Sequence, residues 1–386
     1  MATWGNSKEI FNQALGLQST LANFVREERL LKQVTTNDSS WHQWAYAEAF
    51  KRTLGCIFCF STFHTIVYNS PPLILNSELN VHLPCREADW ESPTESDWQN
   101  ARRFAIPEPK FQDCLGLLFS KDPSEDSTAY SSLGGYILIL ALIQHIYFLR
   151  EMNKFKRDSS GSLLPSDVAD VERALQNWQN GWDVNPETNL NPRSSQGPVS
   201  FNSAALLRMA YIRLSMDIGP CRTLETQNPL LIARAMQQSP RVKLGPRLTR
   251  AVLYSAHALS IPVKIGVNIV SRNQAFIWSL QQSLCALECA FALSKWLVTV
   301  HTRLPGEPFN EDEERLIAYI VDMVSEADSE FRLMSGGESS LNYVELAVRV
   351  VRIWARLYSG EVIWDVVRLM GQALEAYAKI LEESFA

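Results

Sequence analysis

The order of residues predicts an all-α fold, and three observations carry that expectation. Apolar residues recur at three- and four-residue spacing through most of the 386-residue chain. Helix-start signals stand immediately before several of these stretches. Strands are hard to find: only Leu73–Leu75 and Leu79–Leu83 qualify, and both are short. No period of about 20 to 50 residues recurs, which argues against a regular solenoid. The expected architecture is a large helical domain, an irregular multi-helix array with long loops.

Asn6 with Glu9 three residues on is a helix start, because the Asn oxygen takes a free backbone N–H and the Glu reaches back. Ile10, Ala14, Leu17, Leu21 and Val25 then form the expected apolar face. Ser40 with Gln43 repeats the start and launches a helix from Trp41 to about Tyr68, which Pro71-Pro72 is expected to end. A loop-rich section from Leu73 to about Pro109 follows. Ser166 and Asp167 open another helix, with Val168, Val171, Leu175, Trp178 and Trp182 on one face. Residues 183–200 read as a linker rich in Pro and Asn, dividing the chain into 1–182 and 201–386. Helices are then expected from Ala204 to Asp217, after the Asn310/Glu313 cap, from Leu341 to Tyr358 and from Val362 to about Leu381.

Hydrophobic residues make up 46% of the chain, enough for a real core, so wholesale disorder is excluded. Lys and Arg number 36 against 42 Asp and Glu, a net charge of −6. A free-standing nucleic-acid binder needs the opposite balance to displace counterions from phosphates. The N-terminus has neither a basic, apolar secretory pattern nor an Arg/Ser-rich leader. With no such signal, the seven cysteines are expected as reduced thiols in the cytosol or nucleus. The uncharged stretch Ser127–Leu149 invites comparison with a membrane span, but Gln144 and His145 interrupt its apolar part, so a buried core helix is expected.

Phosphate-binding glycine loops, nucleophile elbows and the His-Glu-x-x-His zinc motif are absent from the sequence. Cys56 and Cys59 with His64, His82 and Cys85 are the best metal candidates, yet the pair sits in an apolar helix where free thiols pack as small hydrophobes. Cys285 and Cys289 read the same way. His145 and His257 are expected as core histidines. Glu311 to Glu314 fill the first turn of a helix, where the dipole favours acids. Glu87, Asp89, Glu91, Glu95 and Asp97, interleaved with Trp90 and Trp98, suit either a partner-binding loop or solvated helix caps.

Charge is uneven along the chain. Between Glu225 and Glu288 there is no acid, while Arg234, Arg241, Lys243, Arg247, Arg250, Lys264 and Arg272 are present. An anionic partner is one reading, and pairing with the acidic remainder of the same chain is the preferred one. The seven look too dispersed to form one helical stripe.

Three segments together resemble the fungal-specific transcription factor domain. The first contains Glu48-Ala-Phe-Lys-Arg-Thr53, Asn69-Ser-Pro-Pro72 and Leu83-Pro-Cys-Arg-Glu-Ala-Asp-Trp90. The second is Asp217-Ile-Gly-Pro-Cys-Arg-Thr-Leu-Glu225 within Leu206–Pro229, and the third is Val348-Arg-Val-Val-Arg-Ile-Trp-Ala-Arg-Leu-Tyr358 with Val362-Ile-Trp364. The resemblance spans nearly the whole chain and is to the xylanolytic-activator-type regulatory region of zinc-finger transcription factors, most like the branch with two cysteines and two histidines on each zinc. It implies a nuclear regulatory (middle homology) domain over residues 1–386 without catalytic, cofactor, metal or DNA-binding residues of its own. The implied partners are the transcriptional machinery or regulatory proteins, with a small-molecule effector also open and no membrane. DNA and zinc belong to finger modules this chain lacks, so it is expected to be either a fragment or a finger-less relative. Glu48, Lys51 and Arg52, at i, i+3 and i+4, are expected to anchor their helix against a neighbouring loop. The alternative is an all-α small-molecule-binding protein or enzyme with a pocket between helices; a ligand-free scaffold is the third reading.

Overall fold

The computed structural model describes residues 5, 8–31, 40–103, 105–121, 130–154, 163–189, 191, 197–219, 223–303, 308–328 and 342–385. Among them are 15 α-helices, two short 3-10 turns and no strand. The expected strands near Leu73 and Leu79 are instead a loop, a 3-10 turn over Asn76–Glu78 and one isolated antiparallel bridge between His82 and Lys110. Their apolar side chains mark burial rather than pairing: Ile74, Leu79 and Leu83 are each 1% exposed. The chain divides into two compact units, residues 12–210 and residues 211–386 with 1–11.

The unit of residues 12–210 takes in helices α2 to α7 and most of α1 and α8, whose outer ends belong to the other unit. These are α1 (Lys8–Leu31), α2 (Trp41–Tyr68), α3 (Glu87–Trp90), α4 (Glu95–Arg102), α5 (Phe111–Leu118), α6 (Ser132–Asn153), α7 (Pro165–Val184) and α8 (Gly197–Ser215). Ser40 caps α2 by accepting from the Gln43 N–H, and the helix stops at Asn69, whose left-handed φ of 52° turns the chain two residues before the prolines. The cap expected from Asn6 lies outside the described residues. In α1 the buried stripe is Ala14, Gln18, Ala22 and Val25, whereas Leu17 and Leu21 face outward. Burial, rather than apolar spacing alone, decides which face of the helix turns inward. Pro165 opens α7 in the first helical position, one residue before the expected Ser166 start.

Helix α6 is the centre of this unit, packed on α2, α5 and α7. It is long and apolar enough to cross a membrane by length and composition, yet every residue from Ile137 to Ile143 is at most 2% exposed within the fold. Gln144 is buried with its amide fully used: Nε2 donates to the Ile74 carbonyl at 2.9 Å and Oε1 accepts from the Asn76 N–H at 2.8 Å. Trp178 of α7 donates to the Gly135 carbonyl, and the Tyr130 hydroxyl returns a bond to the Trp178 carbonyl. A Cβ at position 135 would sit 2.8 Å from the Tyr130 ring, so this crossing requires glycine.

The unit of residues 211–386 contains α9 (Pro229–Gln238), α10 (Pro246–Ile265), α11 (Val267–Ile277), α12 (Leu280–His301), α13 (Glu311–Ala327), α14 (Tyr343–Leu357) and α15 (Asp365–Phe385). Helix α12 is its core, packed on α10, α14 and α15, with Leu284, Cys289, Leu293 and Trp296 fully buried. Asn310 and Glu313 form the expected capping box on α13. Helix α10 runs through Pro262 and breaks only at Gly266, where a φ of 103° turns the chain into α11. At Gly360, between α14 and α15, a Cβ would lie 2.1 Å from the Ser271 carbonyl oxygen, so the turn packs directly on α11.

Candidate functional site

One charge network in the unit of residues 12–210 gathers most of the residues singled out in the first resemblance segment. Glu48 projects from α2 and its side chain is wholly buried, an expensive place for a charge without partners. Its carboxylate accepts from the Cys85 N–H at 2.9 Å, from Arg52 Nε at 3.1 Å and pairs with Lys51 Nζ at 2.6 Å. Burial pushes the Glu48 pKa up, but Lys51 and the Cys85 bond outweigh it and hold the group below its ordinary value. Arg52 continues outward: it donates to the Cys85 carbonyl and to Glu87, both at 3.3 Å, and its guanidinium stacks 4.6 Å from the Trp90 ring centre. The anchoring role expected of Glu48, Lys51 and Arg52 is what the geometry performs.

The loop they hold is fixed at consecutive residues. Leu83 N–H donates to the Pro109 carbonyl, the Pro84 carbonyl accepts from Ser131 Oγ at 2.7 Å, and Cys85 N–H is held by Glu48. Glu187 locks the next step, its two oxygens accepting from the Glu87 and Ser132 N–H groups at 2.6 and 2.7 Å at the starts of α3 and α6. On the far side, Asp89 is buried, with Arg86 at 3.1 Å and Arg102 at 3.9 Å, and Arg102 also pairs with Glu108 and stacks over Trp44. Of the acid–aromatic set, Glu87, Asp89, Trp90 and Trp98 therefore face inward partners, Trp98 lying 5.3 Å from Trp44. Glu187, Glu108, Arg102 and Ser131 are not singled out in the sequence; Glu187 and Ser131 work across 47 to 100 residues, and Arg102 meets Glu108 six residues on, outside any one helix.

Beside this network lies an open, mainly apolar groove of about 480 Å³, lined by Leu21, Ala49, Arg52, Thr53, Cys56, Ile57, Phe60 and Trp90. It can receive an apolar or planar group against the Arg52–Trp90 stack. Partial burial raises the Cys56 pKa, so this thiol is a weak nucleophile at neutral pH.

The remaining candidates do not converge. Cys56 is exposed, while Cys59 and Cys85 are buried with thiol pKa values pushed up by desolvation. His64 is buried and its pKa falls to about 4 for the same reason. Among the described residues no three His, Cys, Asp or Glu side chains are grouped as metal ligands. Cys285 and Cys289 are buried on one face of α12, their sulfurs 3.9 Å apart; Cys221 lies outside the described residues. His145 is half-buried against Phe119, whereas His257 is exposed beside Tyr319 rather than in the core, because it falls on the outer face of α10.

The basic stretch corrects a second expectation. Among the described residues, Arg234, Arg241, Lys243, Arg250, Lys264 and Arg272 form no ion pair; all six are exposed. Two acids of the following segment are committed elsewhere: Glu288 is buried against Arg213 at 2.6 Å, and Glu313 pairs with Arg303 at 2.9 Å. Arg250 and Lys264 fall on one exposed face of α10, and Arg272 is exposed on α11, so the charges are less scattered than the intervening prolines suggest.

Neither a curated protein nor a solved structure matches the chain. Two family models do. Residues 9–180 match the fungal specific transcription factor domain, and residues 217–376 match the fungal transcription factor C-terminal domain. The first match contains the whole Glu48 network except Glu187, and the second takes in α9 to α14 and part of α15. With two successive matches of this kind over most of its length, the chain belongs to the fungal-specific transcription factor domain family.

Proposed function

We propose that this chain regulates transcription by RNA polymerase II from the nucleus, through contacts with regulatory proteins or the transcriptional machinery. In this reading it is not an enzyme. DNA is reached only through zinc-finger modules, which hold the zinc and which the sequence of this chain does not contain. The observation that carries the reading is the succession of the two matched regions, residues 9–180 and 217–376. The chemistry agrees with it: the Glu48 cluster is spent on holding a loop, and the described residues lining the groove at Arg52 and Trp90 include no nucleophile–base pair. An effector that enters this groove would press on the Arg52–Trp90 stack and so on the loop from Leu83 to Trp90.

Fusing the chain to an unrelated DNA-binding module and measuring a reporter in a fungal host tests this function. The fusion should change transcription about fivefold or more relative to the module alone, in either direction. The chain without the module should give no sequence-specific gel shift. A silent fusion, or tight specific DNA binding by the chain alone, would overturn the reading.

A further inference from the structure

The bent pair α10–α11 presents apolar and basic side chains together to solvent. Ile261 is 54% exposed, Ile265 55%, Ile269 57% and Phe276 87%. On α10 the outer face runs through Arg250, His257, Ile261 and Lys264, while Leu248, Val252, Ala256 and Leu259 are buried on the opposite side. On α11 it runs through Ile269, Arg272, Asn273 and Phe276 at i, i+3, i+4 and i+7, while Val267, Val270 and Gln274 face inward. The two helices meet at 100°, and the Ile269 side chain lies over the corner, its Cδ1 3.4 Å from where a Cβ on Gly266 would stand. Exposed apolar and basic residues thus flank the corner on both helices.

We propose that this surface docks an acidic amphipathic helix of a partner protein. Charge complementarity selects that occupant. The whole stretch between Glu225 and Glu288 holds no acid, and Arg250, Lys264 and Arg272 have no ion-pair partner among the described residues. The apolar residues require a partner that buries hydrocarbon, which the phosphate backbone of a nucleic acid does not offer. Asn268 and Asn273 lie exposed on α11, and Asn273 Nδ2 donates to the Ile269 carbonyl at 2.8 Å. Acyl chains would leave the Asn268 amide and the Asn273 oxygen unpaired at a real cost, whereas the side chains of a helix can hydrogen-bond them. The surface is read from exposure and charge alone and stands apart from the regulatory reading above.

Fluorescence anisotropy with the full chain tests the docking. The probe is a labelled peptide of roughly 20 residues with Leu and Phe at helical spacing and Glu between them. It should bind with a micromolar dissociation constant and weaken as salt rises from about 50 to about 500 mM. The same peptide with Lys in place of Glu should bind about tenfold more weakly or worse. Two variants, I269S/F276S and K264E/R272E, should each lose about tenfold, and if the first fails to fold the second decides. No binding up to about 100 µM, or equal binding by both variants or by the Lys peptide, overturns the proposal. So does a surface used by something else: phosphatidylserine vesicles, duplex DNA or a second copy of the chain that responds to the variants while the acidic peptide does not.

Discussion

The charges of residues 48–108 and those of residues 234–272 are handled in opposite ways. In the first region every cation named above has an acid or a carbonyl within hydrogen-bonding or ion-pair reach, and Glu48 and Asp89 are buried at the centre. In the second, Arg234, Arg241, Lys243, Arg250, Lys264 and Arg272 are exposed and form no ion pair among the described residues, and Glu288, the next acid along the chain, is locked to Arg213. Paired, buried charge specifies where a loop goes, and unpaired, exposed charge is left for whatever arrives from outside. A sequence count that sums both to −6 cannot separate them.

The largest effect should come from breaking the first region. Glu48→Ala leaves Lys51, Arg52 and the Cys85 N–H without their shared acceptor. It should lower unfolding free energy by about 3–5 kcal/mol, read by urea titration of tryptophan fluorescence. Trp90 and Trp44 sit beside this network, so their emission should report the release of the loop. A loss under about 1 kcal/mol would mean the network is not the anchor that its geometry describes.

Arg213 and Glu288 carry the comparison into the unit of residues 211–386. This pair is buried, with Arg213 Nη2 and Nε donating to the carboxylate at 2.6 and 3.1 Å. Arg213→Met alone strands Glu288 and should lose about 3 kcal/mol, whereas Arg213→Met with Glu288→Leu should recover most of that. Recovery would show that the pair specifies packing rather than supplying net stability; no recovery would show that it stabilises in its own right.

How much of this was readable from the sequence depended on distance along the chain. Ser40 with Gln43, Asn310 with Glu313, and Glu48 with Lys51 and Arg52 are interactions within one helical turn, and each was legible. The N–H groups that donate to Glu187 lie 100 and 55 residues away, and the partners of Gln144 lie 70 and 68 away, so no spacing announces them. Helix α1 misled for a different reason. Its apolar repeat was real, but tertiary packing chose the face of Ala14, Gln18, Ala22 and Val25 over that of Leu17 and Leu21. His257 falls on the outer face of α10, which its apolar neighbours in sequence conceal, and the basic stretch differs because a sequence shows which residues are charged and not which acids are already engaged.

A buried neutral group gives the next effect. Burial lowers the His64 pKa from 6.5 to about 4. A folded pKa depressed below the unfolded one means that the unfolded chain binds the proton first. Stability is thus full above pH 6.5 and declines as pH falls toward 4. The decline attributable to His64 is at most about 3 kcal/mol across that window, and His64→Phe should flatten that part of the profile. Glu48, also depressed, acts lower, its contribution present above the unfolded carboxylate value of about 4.3 and lost as pH falls through its folded value. A profile for H64F that still falls between pH 6.5 and 4 would move the switch to another group.

The smallest effect is the one that tests the contrast most directly. Lys264→Ala and Arg272→Ala remove exposed cations that make no ion pair among the described residues, so each should change unfolding free energy by less than about 0.5 kcal/mol. The sign should favour the variants slightly, because α10 and α11 carry Arg247, Arg250, Lys264 and Arg272 and no acid of their own. For the same reason, moderate salt should stabilise the native chain more than the double variant, by screening that unbalanced charge. If either substitution instead costs more than about 1 kcal/mol, these cations are structural after all. The distinction between the anchored region and the open one would then fail at its exposed end.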